Sequence, residues 1–316
     1  MKLSLSPRAR VTAIVAIAGL CACMVLGIAA SSAHPAPSQT TVYDNIPSPQ
    51  PSNVPSVGFE ATSTSEFGGQ LQLAGTQRKD PTVTVLMSSW ACKSGSWSKD
   101  DCVTNPGSTF NHPVTLNVYG VNDDDSPGAL IATQTKTFAM PYRPTMDDGT
   151  NCSGDKAGEW WDGQSCVNGK AFTIAFKLDG VTLPDDVIVG VAYNTSNHGY
   201  APIGTGTACF GTPQGCPYDS LNVGTAPAPT VGQALPTADD AYLNSTWSGA
   251  YCDGSLGTGS FRLDAGCWTG YEPAVQVEAS GGRGGNPPSH HHPQPPFGKG
   301  HGHPSPFAWL PWFAHP

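Results

Sequence analysis

The sequence is short of charge, and of positive charge above all. Charged residues make up 12% of the chain, with 15 Lys and Arg against 24 Asp and Glu for a formal net charge of -9. That balance argues against a nucleic-acid partner, which needs a basic stripe to displace counterions. Sustained helical periodicity with caps is missing, and so are G-x-S-x-G, H-E-x-x-H and any C-x-x-C. The first two motif absences remove the usual esterase and zinc-peptidase signatures. The third, in an exported chain, argues against a structural zinc site. No apolar run outside residues 11–30 approaches the length of a membrane-spanning helix.

What the chain does contain is 37 Gly and 30 Pro, with much Ser and Thr, a composition suited to an extracellular all-β domain. Residues 1–33 read as an export signal: Lys2, Arg8 and Arg10 precede the apolar run, and Ser31-Ser32-Ala33 form a small-residue cleavage site before His34. A membrane anchor ranks second and a lipoprotein through Leu20-Cys21-Ala22-Cys23 third. Setting those two aside, eight of the ten cysteines remain. Eight cysteines allow on the order of 100 pairings. Local closure costs the least chain entropy, and so predicts Cys92 with Cys102, Cys152 with Cys166, Cys209 with Cys216 and Cys252 with Cys267.

Residues 34–56 read as a Pro-, Ser- and Gln-rich linker that becomes the first strand near 41–45. Strands are predicted at 70–73 and 82–87, then as a hairpin at 114–121 and 130–140 with its turn at 122–128. The centre is 171–193. There Phe172, Ile174, Phe176 and Leu178 alternate with Thr173, Ala175 and Lys177, and after Asp179-Gly180 and Pro184-Asp185-Asp186 comes the almost wholly apolar VIVGVAY. The pair is read as two strands joined by a tight turn, the second of them central. Short strands follow at 220–223, 241–243, 260–263 and 273–278. The pattern points to an antiparallel β-sandwich, jelly-roll-like, over 41–279. From 280 to 316 the composition turns to Gly, Pro and His, and disorder is expected.

The stretch YDNIPSPQPSNVPSVGFEATSTSEFGGQLQLAG, the strand VTVLMSSWAC, the hairpin strand HPVTLNVYGV and the pair VTLPDDVIVGVAYNT together resemble an exported actinobacterial domain of unknown function. That domain occurs in proteins with assorted surface-anchoring tails. The resemblance covers about 41–280, implies an extracellular β-sandwich and carries over no catalytic residues. This chain departs from the anchored members in having no LPxTG-like sorting signal and no terminal membrane span.

Aromatic rings in the cysteine loops are the leading site residues. Trp160 and Trp161 lie between Cys152 and Cys166, Trp97 lies between Cys92 and Cys102, and Trp268 and Tyr271 follow Cys267. Rings on stiff loops can stack on sugars, although burial over the ends of the sandwich or over the disulfides themselves is the somewhat better reading. Of the Trp160–Trp161 pair, at least one is expected to be exposed. Glu159 is the one carboxylate beside an aromatic platform. His112 and His198 are read as loop histidines. Asp123, Asp124 and Asp125 could offer oxygens to calcium, but they lack EF-hand spacing, and a solvated turn is the better reading. In the tail, His290, His291, His292, His301 and His303 could chelate a transition metal, and the aromatic end at 307–313 could touch a membrane interface or a partner. The expectation is a secreted, non-catalytic binding module, free or associated with the cell wall. It needs no cofactor and takes a glycan as its ligand. A structural or matrix protein is the runner-up, and a glycoside hydrolase ranks last.

Overall fold

A computed structural model describes residues 38–96, 99, 101–200, 207–226, 228–236, 240–246, 259–265, 268 and 271–282, all within the unit Pro37–Pro316. The expected signal, Trp97, Cys252, Cys267 and the tail histidines lie outside the described residues. The strands run β1 (Thr40–Asp44), β2 (Ser56–Gly58), β3 (Thr64–Gln72), β4 (Gln77–Ser89), β5 (Thr109–Val121) and β6 (Pro127–Pro141). They continue as β7 (Trp160–Trp161), β8 (Cys166–Val167), β9 (Lys170–Lys177), β10 (Asp186–Ala192) and β11 (Leu221–Ala226). The last are β12 (Gln233–Leu235), β13 (Asp240–Ser245), β14 (Arg262–Ala265), β15 (Glu272–Pro273) and β16 (Val275–Gly282). Among the described residues helical structure is confined to short 3-10 turns, at Lys99, Gly154–Lys156 and Pro217–Ser220, and the described part is all-β as the composition predicts.

Two seven-stranded antiparallel sheets pack face to face. The first runs β1-β16-β4-β11-β15 with β2 on β11 and β9 on β4, and the second runs β14-β13-β3-β10-β5-β6 with β12 on β3. Alternation supplies the core. Val83, Val85, Ile174, Phe176, Val275 and Val277 from the first sheet meet Phe67, Leu71, Leu116, Val118, Val189 and Val191 from the second. Each such side chain contributes about 1.5–3 kcal/mol when fully buried.

The hairpin β5–β6 forms as expected, with both strands longer than their alternating cores. The 171–193 pair does not form a hairpin. β9 pairs with β4 in the first sheet, whereas β10 lies between β3 and β5 in the second, and residues 178–185 cross from one sheet to the other. The two strands have different burial needs. β9 leaves Thr173, Ala175 and Lys177 exposed and suits an edge, while β10 is apolar on both faces and needs neighbours on both sides. The free edge of β9 is covered by side chains of β6: Gln134 Nε2 donates to Lys177 O at 3.0 Å, and Lys136 Nζ donates to Ala175 O at 3.2 Å. Those two bonds satisfy carbonyls that would otherwise template a foreign strand.

Arg78 holds the crossover in place. It is 2% exposed and donates from Nε to Asp185 Oδ1, from one terminal nitrogen to the carbonyls of Ala74 and Gln77, and from the other to those of Leu73 and Gly75. Its own carbonyl accepts from Leu183 N at 2.9 Å. One side chain thus closes the β3–β4 turn and fixes where the crossover lands.

Disulfides join Cys92 to Cys102, Cys152 to Cys166 and Cys209 to Cys216, three of the four local pairs expected. The last strand runs past the expected domain boundary. Ser280 is buried, pairs with Lys79 and donates to its carbonyl, so the ordered domain continues to Gly282.

Candidate functional site

Among the described residues the loop aromatics do not form a platform. Trp160 is 3% exposed, because the β7–β8 ladder turns it inward against Arg143, whose guanidinium carbon lies 3.8 Å from the ring centre. Arg143 is itself buried and donates to Cys102 Sγ. Trp161, turned the other way by strand alternation, is half-buried. Trp268 is 1% exposed, donates from Nε1 to Asp264 Oδ2 at 2.9 Å and lies against Phe67, so it belongs to the core. Tyr271 is half-buried and packs on the same core. A buried ring offers no face to a sugar, and the site expected at Trp160 and Trp268 is corrected accordingly.

The other singled-out residues have structural surroundings. Glu159 is buried and accepts from Asn53 and Lys156. An open depression of about 510 Å³ near it is floored in part by Asp147, Asp148 and Cys152. Asp147 accepts from the backbone of Gly149, Asn151 and Cys152, bonds that hold its carboxyl below the usual range and brace the loop. His112 is not in a loop. It lies buried in β5, stacked on Tyr218 and bonded to Asn194 O, and burial lowers its pKa to about 4. At the β5–β6 turn Asp124 accepts from Ser126, while the Asp125 carbonyl accepts from Tyr242 OH. Among the described residues no group of three or more His, Cys, Asp or Glu is gathered to hold a metal.

A different constellation lies on the outer face of the second sheet. The registers place Thr133, Asn117, Gly190, Gly68 and Tyr242 in one row across five strands, and Thr135, Thr115, Ala192, Glu66 and Asn244 in the next. Gly190 and Gly68 lie side by side and leave a furrow. A Cβ on Gly190 would collide with Glu66 Oε1, and one on Gly68 would come within 2.7 Å of Phe261 Cζ. The glycines therefore let a carboxylate lie down on the sheet with an aromatic ring above it.

Glu66 is fully buried although it points away from the core. Its Oε1 accepts from Asn117 Nδ2 at 2.8 Å and from Tyr119 OH at 3.0 Å, and its Oε2 accepts from Tyr200 OH. Asn117 is oriented in turn by Thr133, which donates to its Oδ1 at 2.7 Å, and Tyr200 also bonds Asn244. Beside this set, Tyr242 OH bonds Gln70 Oε1. Burial pushes the Glu66 carboxyl upward, while its three donors pull it down. Tyr200 remains 60% exposed. The Phe261 ring lies 5.4 Å from that of Tyr119 and 5.9 Å from that of Tyr242.

Sequence reasoning missed this face. The available signals were glycines inside strands: Gly190 interrupting an otherwise Val- and Ile-rich run, and Gly68-Gly69 beside the alternating Glu66, Phe67, Gln70 and Leu71. Comparison with protein-family models, with curated proteins and with solved structures found no match.

Proposed function

We propose that the chain is a secreted, non-catalytic binding module and that the outer face of its second sheet, around Glu66, holds a glycan. The observation that carries this reading is a carboxylate and an amide buried on the solvent side of a sheet, laid across two glycines beneath aromatic rings. Burying an ionisable group costs stability even when it is well bonded, and a carboxylate held this way on the solvent side of a sheet, with no cation paired to it among the described residues, supports its use by a ligand. Sugars match the set: their hydroxyls donate to carboxylates and accept from amides and phenols, and their C–H faces pack on rings. Glycosidic hydrolysis needs two carboxylates flanking the bond. The partners of Glu66 among the described residues are an amide and two phenols, an arrangement for holding rather than cleaving. The disulfides and the export-like start of the chain support an oxidising, extracellular setting.

A glycan array probed with the exported chain tests the reading. Glu66→Gln keeps the shape and removes a charged acceptor, so affinity for the glycan found should fall about 10-fold or more. Trp161→Ala should leave it unchanged within about 2-fold, the range of a residue outside the contact. Unchanged binding by Glu66→Gln, or its loss in Trp161→Ala, would return the site to the disulfide loop.

A further inference from the structure

We propose, on the footing of that glycan reading, that the site selects a sugar bearing a free amine, whose ammonium replaces the Tyr200 hydroxyl on Glu66 Oε2. The two carboxylate oxygens differ. Oε1 is held by Asn117 and Tyr119, both on β5, whereas Oε2 has Tyr200 as its one donor among the described residues. Tyr200 stands beyond the end of β10 and is 60% exposed as a residue, so a swing of its side chain releases the hydroxyl from Glu66 and Asn244 together without disturbing a strand. The donor that leaves most cheaply thus covers the oxygen that a ligand would reach.

Charge selects the incoming group. Among the described residues Glu66 pairs with no Lys, Arg or His, and the neutral donors around it cannot balance its charge. An ammonium can, and a charge-assisted hydrogen bond is about twice as strong as a neutral one. The half-buried rings of Tyr119 and Phe261 lie beside the carboxylate, and their electron-rich faces favour a cation over a neutral hydroxyl. The net charge of -9 draws cations toward the surface as a whole. An N-acetyl group would lose the charge and add bulk over the glycine furrow.

The test is the affinity of the full exported chain for three soluble hexasaccharides: chitosan with its amines protonated, the fully N-acetylated chitin equivalent, and the cellulose equivalent. The free-amine hexamer should bind about 10-fold tighter than either of the others. Glu66→Gln should shrink that preference to about 2-fold or less, and Tyr200→Phe, which removes the competing hydroxyl, should bind the free-amine hexamer several-fold tighter. Circular dichroism of each variant separates a lost site from a lost fold. Equal affinity for all three sugars, or binding to none of them, overturns the amine preference, while the array decides the glycan reading independently. A 10-fold loss in Tyr200→Phe overturns the exchange on Oε2.

Discussion

Arg78→Ala should cost about 3 kcal/mol or more, the largest loss expected from any single polar substitution here. The side chain supplies donors to four main-chain carbonyls and to Asp185, and alanine withdraws all of them together. Asp185 contributes little to the loss, because its side chain is 39% exposed and returns to water. The carbonyls of Leu73, Ala74, Gly75 and Gln77 carry the effect. They lie in a turn shaped around the guanidinium, where the Leu73 bond is buried and the other three are partly buried; a buried acceptor left without a partner costs about 1–3 kcal/mol, and those that water can reach cost less. Lysine should rescue little, since one ammonium cannot reproduce a planar fork of five donors. For a domain of this size the expected fall in Tm is about 6–12 °C, read by thermal unfolding. A fall of less than about 2 °C would mean that the turn finds its hydrogen bonds elsewhere.

The second large effect depends on pH. Glu272 is buried, and burial first, then the nearby Asp240, raises its carboxyl to about 7. Its unfolded value lies near 4.5, so between those two values the folded chain binds the extra proton. Its contribution to stability is therefore complete below the unfolded value and is lost as pH rises through the folded one, a change of about 3 kcal/mol. His112 acts in the opposite sense. With its folded pKa lowered to about 4 from 6.5, its contribution is complete above 6.5 and is lost as pH falls. The two slopes oppose each other over the same acidic range, so the parent profile alone is uninformative. Glu272→Gln isolates one of them: the variant should match the parent in acid and exceed it by about 3 kcal/mol on the alkaline side of 7. Denaturant titrations at both ends read the difference. Equal gaps at the two ends would show that Glu272 does not change its protonation on folding.

The strands that pack the core were legible because their periodicity is local. Val83 and Val85 alternate with threonines, Ile174 and Phe176 alternate with Thr173 and Lys177, and β10 is apolar throughout and lies centrally. Pairing was less legible. The tight turn read between β9 and β10 is a crossover, because an edge strand and a central strand need different neighbours and no short-range pattern records which sheet each joins. β3 reads as only the four residues 70–73 in the sequence, because Gly68-Gly69 and the outward Glu66 and Gln70 weaken its apolar signal. Those same residues build the candidate site, so what hid the strand is what shaped the face. The site stayed hidden for a further reason. Glu66 meets Asn117 across 51 residues and Tyr200 across 134, distances that only sheet register closes. The tryptophans misled in the other direction: a disulfide loop does read as exposed, but Trp160 is drawn inward by Arg143 from outside its own loop.

Titrating the isotopically labelled chain with its array-identified glycan and following amide resonances shows directly whether ligand is held on the outer face of the second sheet. The largest shifts are expected on the Asn117 side-chain amide and on the backbone amides of Gly68 and Gly190, with the Trp161 indole unmoved. Shifts confined to the Cys152–Cys166 loop, with Asn117, Gly68 and Gly190 silent at saturation, would contradict that placement.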